Sequence, residues 1–158
     1  MSQKKALTSV RALYVSPLKA LINDQFARLD YLCEDLDILV HRWHGDVDSG
    51  KKRKFLNKPS GILLITPESL EALFIIHGTK LGMIFKELSC VVVDELHSFI
   101  GNERGCQLQS LLHRLEIVQK RRIRRIALSA TLGDMAMAAE FLRKGGSEEA
   151  ELIESKGS

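Results

Sequence analysis

The sequence has three cysteines, no long apolar run, no internal repeat and no low-complexity tract, and each absence removes a class of protein. Cys33, Cys90 and Cys106 are odd in number and lack C-x-x-C spacing, which argues against a disulfide framework and a cysteine-ligated zinc site. A reducing cytoplasm is therefore the expected setting. The first five residues are polar and basic and no apolar segment follows them, so neither a signal peptide nor a membrane span is expected. Net charge is also small, at +3.

What is present is ordinary for one globular domain: 158 residues, 45% hydrophobic and 27% charged, enough to bury a real core. The positive charge is clumped, in "KKRK" at 51–54 and "QKRRIRR" at 119–125. Such clumps suit either a nucleic-acid partner or a solvated helix face, and charge alone leaves both open.

Short apolar runs alternate with longer segments of helical period. "RALYVS" (11–16), "DILVHRWH" (37–44), "GILLIT" (61–66), "LSCVVVDE" (88–95) and "RRIALSA" (124–130) read as strands, and "AELIES" (150–155) as a final short one. Helices are expected at 18–36, in the short basic segment "KRKFL" (52–56), and at 67–76, 104–120 and 133–144. The strand at 88–95 has almost no alternation, so both its faces should be covered. Strand and helix in alternation predict an α/β fold, a mostly parallel sheet with helices on both faces. In such a sheet ligands bind at the carboxyl ends of the strands.

Those ends carry "SPLKAL", "HGD", "TPESL", "DELH" and "SAT". Asp94 and Glu95 close a buried strand, where two carboxylates are costly unless a cation or a reacting water uses them. Asp94 suits a water-mediated Mg²⁺ contact, Glu95 the orientation and deprotonation of an attacking water, and His97 a hydrogen bond to phosphate or to a neighbouring element. Two solvated acids at a helix cap would satisfy the same spacing. A metal hydrolase using Asp94 and His97 with His41 and His44 lacks a third ligand at suitable spacing. "TPESL" and "SPLKAL" each place a hydroxyl and a proline before free helix N–H groups, an arrangement that binds phosphate oxygens without reading bases but also simply caps a helix.

"GDVDSGKK", at 45–52, is one residue from the phosphate-loop pattern G-x-x-x-x-G-K-[ST]. Lys52 stands where the Mg²⁺-binding hydroxyl should be, and Asp46 and Asp48 bring negative charge to the loop. It reads as a strand-to-helix loop with a basic follow-on.

The ordered set "YVSPLKALINDQ", "HGD", "TPESLEALF", "VVVDELHSFIGNERG" and "LSATLGD" resembles the first motor domain of superfamily 2 DEAD/DEAH-box helicases, with the closest likeness to the large helicase-related (Lhr) group. The likeness runs from about residue 10 to residue 145. It implies a partial RecA-like domain of P-loop NTPase type over residues 1–146, with 147–158 as a tail leading towards a second domain. It implies backbone contacts to a single strand of DNA or RNA through Ser16, Pro17, Leu18 and Lys19, through Gly45 and Asp46, and through Thr66, Pro67 and Glu68. It implies Asp94 for Mg²⁺, Glu95 for the catalytic water, His97 for communication with the second motor domain, and Ser129, Ala130 and Thr131 for coupling hydrolysis to strand movement. No definite role follows for Arg104 in "NERG".

The family's phosphate-binding loop precedes "SPLKAL", and these 158 residues contain no such loop, nor the adenine-recognition segment, nor the second motor domain. The expectation is a fragment of an ATP-dependent helicase: ATP and Mg²⁺ belong to the intact family protein and neither is held tightly here. Loss of the preceding strand should leave 124–130 with an open apolar edge prone to association. Two other readings stay in competition. One is a non-catalytic nucleic-acid-binding or regulatory module, the other an independent NTPase using "GDVDSGKK".

Overall fold

A computed structural model describes residues 9–129, 135–143 and 150–154. The elements run β1 (Val10–Val15), α1 (Lys19–Cys33), β2 (Val40–Trp43), α2 (Ser49–Asn57), β3 (Gly61–Ile65), α3 (Pro67–Ile76), α4 (Leu81–Ile84), β4 (Cys90–Val93), α5 (Glu103–Gln119), β5 (Arg124–Ser129), α6 (Met135–Leu142) and β6 (Ala150–Glu154). The strands form one sheet in the order β2-β3-β1-β4-β5-β6. Every pairing is parallel, as the strand–helix alternation predicts.

The apolar runs fill both sides of the central strands. Leu13, Val15, Leu63, Ile65, Val91 and Val93 meet the helices α2 to α6 in the larger core, whereas Tyr14, Val40 and Leu64 meet Ile22 and Cys33 of α1 in a smaller one. Helices do lie on both faces, but unequally: among the described residues α1 alone covers the second face, and Val92 and Leu128 are only partly buried there.

Local chemistry sets the joints. Thr66 Oγ1 accepts from the Ser69 N–H at 3.2 Å and Pro67 opens the helix, so α3 spans the residues its sequence predicts. Asn102 caps α5, its Oδ1 accepting from the Gly105 N–H at 2.9 Å, and Lys120 ends that helix in the left-handed region. Gly61 has φ +61°, and a Cβ there would stand 1.9 Å from the Leu39 carbonyl oxygen, so only glycine fits between β2 and β3.

The structure corrects the sequence reading in three places. The helix after the first strand ends at Cys33 and gives way to a 3-10 turn over Glu34–Leu36, with Asp37 left-handed at φ 54°. Helix α2 begins at Ser49, so Gly50, Lys51 and Lys52 are helical, not part of a loop. The edge expected to be open beside 124–130 is occupied, because β6 pairs with β5 from Arg125↔Ala150 to Ser129↔Glu154. An apolar strand edge recruits the next strand with the right pattern, so the sheet extends past residue 146, and the premise of an aggregation-prone edge at β5 fails.

Candidate nucleotide and nucleic-acid site

Because all the strands run the same way, the segments that follow β1, β2, β3, β4 and β5 emerge at one end of the sheet. The sequence-predicted residues through Ser129 therefore share that end; Ala130 and Thr131 lie outside the described residues.

At the end of β4, Asp94 is buried and accepts two hydrogen bonds, from the Tyr14 hydroxyl to Oδ2 at 2.7 Å and from the Glu95 N–H to Oδ1 at 2.9 Å. Burial pushes the Tyr14 phenol far above its ordinary value, reinforced by its bond to Asp94 and by the negative charges of Asp94 and Glu95. The phenol is thus a permanent donor that fixes the Asp94 carboxylate. Glu95 sits in the left-handed region at φ 52°, an uncommon conformation for a residue with a side chain, and turns the chain into the 3-10 turn Leu96–Ser98. His97 follows, with Nε2 3.3 Å from Glu95 Oε2 and Nδ1 3.0 Å from Ser129 Oγ. One imidazole thus bridges the ends of β4 and β5.

Among the described residues no group of three His, Cys, Asp or Glu side chains could hold a metal ion, so His41, His44, Asp94 and His97 do not assemble a hydrolase centre. A single carboxylate with two oxygens already accepting, yet with lone pairs to spare, fits a hydrated Mg²⁺ contacted through water.

The segments expected to grip a strand form a second cluster. Lys19 Nζ lies 3.3 Å from Asp46 Oδ2, joining "SPLK" to "HGD". His44 Nδ1 accepts from the Asp46 N–H at 3.2 Å, which leaves the proton on Nε2 to donate to Asn23 Oδ1 at 3.0 Å; Arg42 Nη1 donates to the same oxygen at 3.1 Å. Burial holds His44 below its usual value, opposed by Asp46 and aided by the positive charges of Arg42, Lys19 and Lys52. Leu18, Lys19, Gly45, Asp46 and Glu68 are exposed, whereas Ser16, Pro17, Thr66 and Pro67 are buried. The Ser16 hydroxyl has no hydrogen-bond partner among the described residues, and the Thr66 hydroxyl is engaged in capping.

Arg104 is the residue that sequence reasoning left without a role. Its guanidinium grips Glu68 through two bonds, Nη2 to Oε1 at 2.7 Å and Nε to Oε2 at 3.3 Å, and Nη2 also donates to the Pro17 carbonyl at 2.7 Å. "NERG" is therefore a clamp: Asn102 caps the helix, Arg104 ties "SPLK" to "TPE", and Gly105 allows a close approach in which a Cβ would stand 1.8 Å from the Phe99 carbonyl oxygen. Tyr14 and Asn23 were also missed. Each lies inside a predicted element with no local signal; only the pairing of β1 with β4 and the packing of α1 on β2 reveal them.

The near-match "GDVDSGKK" is not part of the Asp94 site. It follows the sheet-edge strand β2, three strand spacings or about 14 Å from β4. A loop and a carboxylate that share one nucleotide's phosphates must be closer. Lys52 instead lies over the Trp43 ring at 5.4 Å, and the independent-NTPase reading loses its basis.

Comparison with known proteins agrees with this arrangement. The profile of the DEAD/DEAH box helicase family matches residues 2–138. The chain is 33% identical over 156 residues to the ATP-dependent helicase Lhr-Core of Sulfolobus acidocaldarius, covering 93% of this chain and 18% of that protein. Against the Lhr-Core helicase of Methanothermobacter thermautotrophicus it is 35% identical over 145 residues, covering 85% of this chain and 16% of that one. The structure of the Mycobacterium smegmatis helicase Lhr bound to ssDNA and AMP-PNP superposes with a TM-score of 0.78 at 28% identity, over 95% of this chain and 20% of that one. The chain thus spans less than a fifth of the length of these curated relatives. With the profile matching most of its length and the strand-end residues assembled at one end of a parallel sheet, the chain belongs to the DEAD/DEAH box helicase family, as a RecA-like domain of Lhr type.

Proposed function

We propose that this chain is the strand-gripping part of the first motor domain of an ATP-dependent nucleic-acid helicase. The observation that carries the reading is the clamp of Arg104 on Glu68 and Pro17, which fixes the backbone-contact segments to each other beside the strand that ends in Asp94. Exposed Leu18, Lys19, Gly45, Asp46 and Glu68 border the path of a single strand of DNA or RNA. Lys19 meets phosphate directly. The N–H groups at the start of α1, which no side chain caps, offer further donors to backbone oxygens. Ser16, Pro17, Thr66 and Pro67 shape the turns that aim these groups.

In the intact protein, bound ATP and Mg²⁺ supply the phosphoryl group and a cation that neutralises charge developing on its oxygens. Asp94, held by Tyr14 and the Glu95 N–H, contacts the hydrated cation; Glu95 orients and deprotonates the attacking water. His97 passes the state of Glu95 to Ser129, the first residue of the sequence motif Ser129, Ala130 and Thr131. The chain by itself binds neither ATP nor Mg²⁺ tightly, because these 158 residues contain no G-x-x-x-x-G-K-[ST] loop to cradle phosphates. The rest of the site comes from an N-terminal segment and a second motor domain. A non-catalytic binding module is the less favoured reading, given relatives that are ATP-dependent helicases.

The test is fluorescence anisotropy with labelled single-stranded oligonucleotides across a salt series. Binding should weaken linearly in log affinity against log salt, by about 0.7 per phosphate neutralised, and Lys19→Ala should lower the slope by about that amount. A salt-independent affinity, or a slope untouched by Lys19→Ala, overturns the assignment. Phosphate release from ATP by the isolated chain should stay at background with or without oligonucleotide; robust stimulated hydrolysis would refute the incomplete-site reading.

A further inference from the structure

Strand β2 is an edge strand among the described residues, and its outward backbone groups take no part in the site above. We propose that the groove along the free edge of β2 docks an extended acidic peptide segment of a partner protein as an added strand.

The geometry of the edge comes first. In a parallel ladder, alternate residues turn both backbone groups to the same neighbour. The Ile62 N–H donates to the Leu39 carbonyl at 3.0 Å, and His41 faces Leu63 across the β2–β3 pair. Leu39, His41 and Trp43 therefore direct their backbone groups inward to β3. Val40 and Arg42 direct theirs outward, where no further strand lies among the described residues.

That edge is also the floor of a groove. Five consecutive residues, 39 to 43, line a cavity of about 400 Å³, which happens only when the strand is approached edge-on. Phe26 of α1 forms one wall and Phe55 of α2 the other. Side chains alternate between the walls with the period of the strand: the Arg42 guanidinium lies 4.6 Å over the Phe26 ring, and the His41 ring lies 4.9 Å from that of Phe55. Leu39, Val40, Trp43 and Val47 add apolar lining, and exposed Leu39 leads into the groove.

Charge then selects the occupant. Arg42, Lys51, Lys52, Lys54 and Lys58 border the groove and, among the described residues, no acidic one does. Unpaired strand groups, apolar walls at alternate positions and a one-sided basic rim together match a peptide that adds as a strand, buries every second apolar side chain and turns carboxylates to the lysines. A nucleic-acid strand has the charge but cannot pair with outward N–H and C=O groups in strand register. The four residues of β2 span about 13 Å, room for a peptide strand of similar length.

The probe is a fluorescein-labelled peptide of four alternating Glu-Val repeats, read by anisotropy against the whole chain. Binding is expected, and the double variant Lys54→Glu/Lys58→Glu, at two exposed positions, should weaken it at least tenfold. Two N-methylated versions of the peptide supply the strand-specific readout without altering the protein. Methyl groups on one alternate set of amides should cost at least tenfold in affinity, and on the other set less than twofold. Equal tolerance of both sets, or equal binding of a Lys-Val peptide, overturns the proposal. So does displacement of the peptide by oligo-dT whose own binding Lys54→Glu/Lys58→Glu abolishes, which would give the groove to nucleic acid. A concentration-dependent dimer lost in the same variant would overturn it in favour of a second copy.

Discussion

Glu116 is the most consequential side chain outside the strand-end site, and replacing it with glutamine isolates what its charge contributes. Its carboxylate accepts from Arg125 Nη2 at 3.0 Å, from Arg143 Nη1 at 2.9 Å and from the Ile123 N–H at 2.8 Å. Arg125 also donates to the Leu142 carbonyl at 2.6 Å, and Arg143 to the Ile123 carbonyl. One carboxylate thus ties the end of α5, the start of β5 and the end of α6. The side chains of Arg125 and Arg143 are only 8% and 9% exposed and that of Glu116 13%, so Glu116→Gln strands two buried guanidinium groups beside a neutral amide. Breaking a buried pair in this way costs roughly 3–5 kcal/mol. The lower end applies, because the network borders an open cavity of about 610 Å³ that admits water. A loss of about 3 kcal/mol in a domain of this size lowers the melting temperature by about 6–12 °C.

The same substitution has a pH signature. Burial raises the Glu116 pKa, but the Ile123 N–H bond and the charges of Arg125 and Arg143 outweigh it and hold the group below its ordinary 4.5. The stabilisation is therefore complete above pH 4.5 and is lost as pH falls through the lower folded-state value. Thermal denaturation followed by circular dichroism between pH 7 and pH 3 should show the wild type and Glu116→Gln converging towards acid pH. Glu140→Gln, at an exposed position on α6, serves as the control and should change stability by less than about 0.5 kcal/mol. A drop under 2 °C at pH 7, or a gap that persists unchanged at pH 3, refutes the argument.

Gly105→Ala forces a Cβ to within 1.8 Å of a backbone oxygen and should cost roughly 2–4 kcal/mol in a urea titration; an unchanged midpoint would mean the helix approaches Phe99 less closely. Tyr14→Phe removes a buried bond to a carboxylate, about 2 kcal/mol by chemical denaturation. Because the folded phenol is raised above 10, the wild type should also lose stability as pH climbs past 10 by a component the variant lacks. Burial holds His41 and His44 below 6.5, so the unfolded chain protonates first and stability should fall between pH 7 and pH 5, less steeply in His41→Asn; parallel slopes would contradict this. Arg104→Ala breaks a half-exposed pair and should change stability by no more than about 1 kcal/mol, yet weaken oligonucleotide binding about fivefold by releasing Glu68 from Pro17. Equal binding by the variant would make the clamp purely structural.

Most of the architecture was legible because the chain writes it locally. A β-branched run such as "CVVV" reads as a strand and "TPESL" carries its own cap, so β4 and α3 fall within the predicted segments, but β4 is covered on one face only: Val91 and Val93 are buried while Cys90 and Val92 stay partly exposed. Helix α4 and the 3-10 turns were not legible: they are too short to show a period, and burial of Leu81 and Ile84, not propensity, holds α4. Asp94 and Glu95 were singled out because two acids after a buried run are costly without a use, and His97 because it follows two residues on. Their partners were not, since Tyr14 and Ser129 reach them only through strand pairing, across 80 and 32 residues of sequence.

By itself the sequence determined the order of strands and helices, the parallel class of sheet and the residues at the strand ends, because hydrophobic period and capping act over a few residues. Only the tertiary structure decided which strands are neighbours. That ordering puts Asp94 beside Tyr14, moves "GDVDSGKK" to the far edge and makes Arg104 a clamp. It also brings β6 against β5 and, among the described residues, leaves the outer groups of β2 without a partner strand. Hydrogen bonds between strands depend on which edges meet, and that is settled by packing of the whole sheet, not by any segment alone.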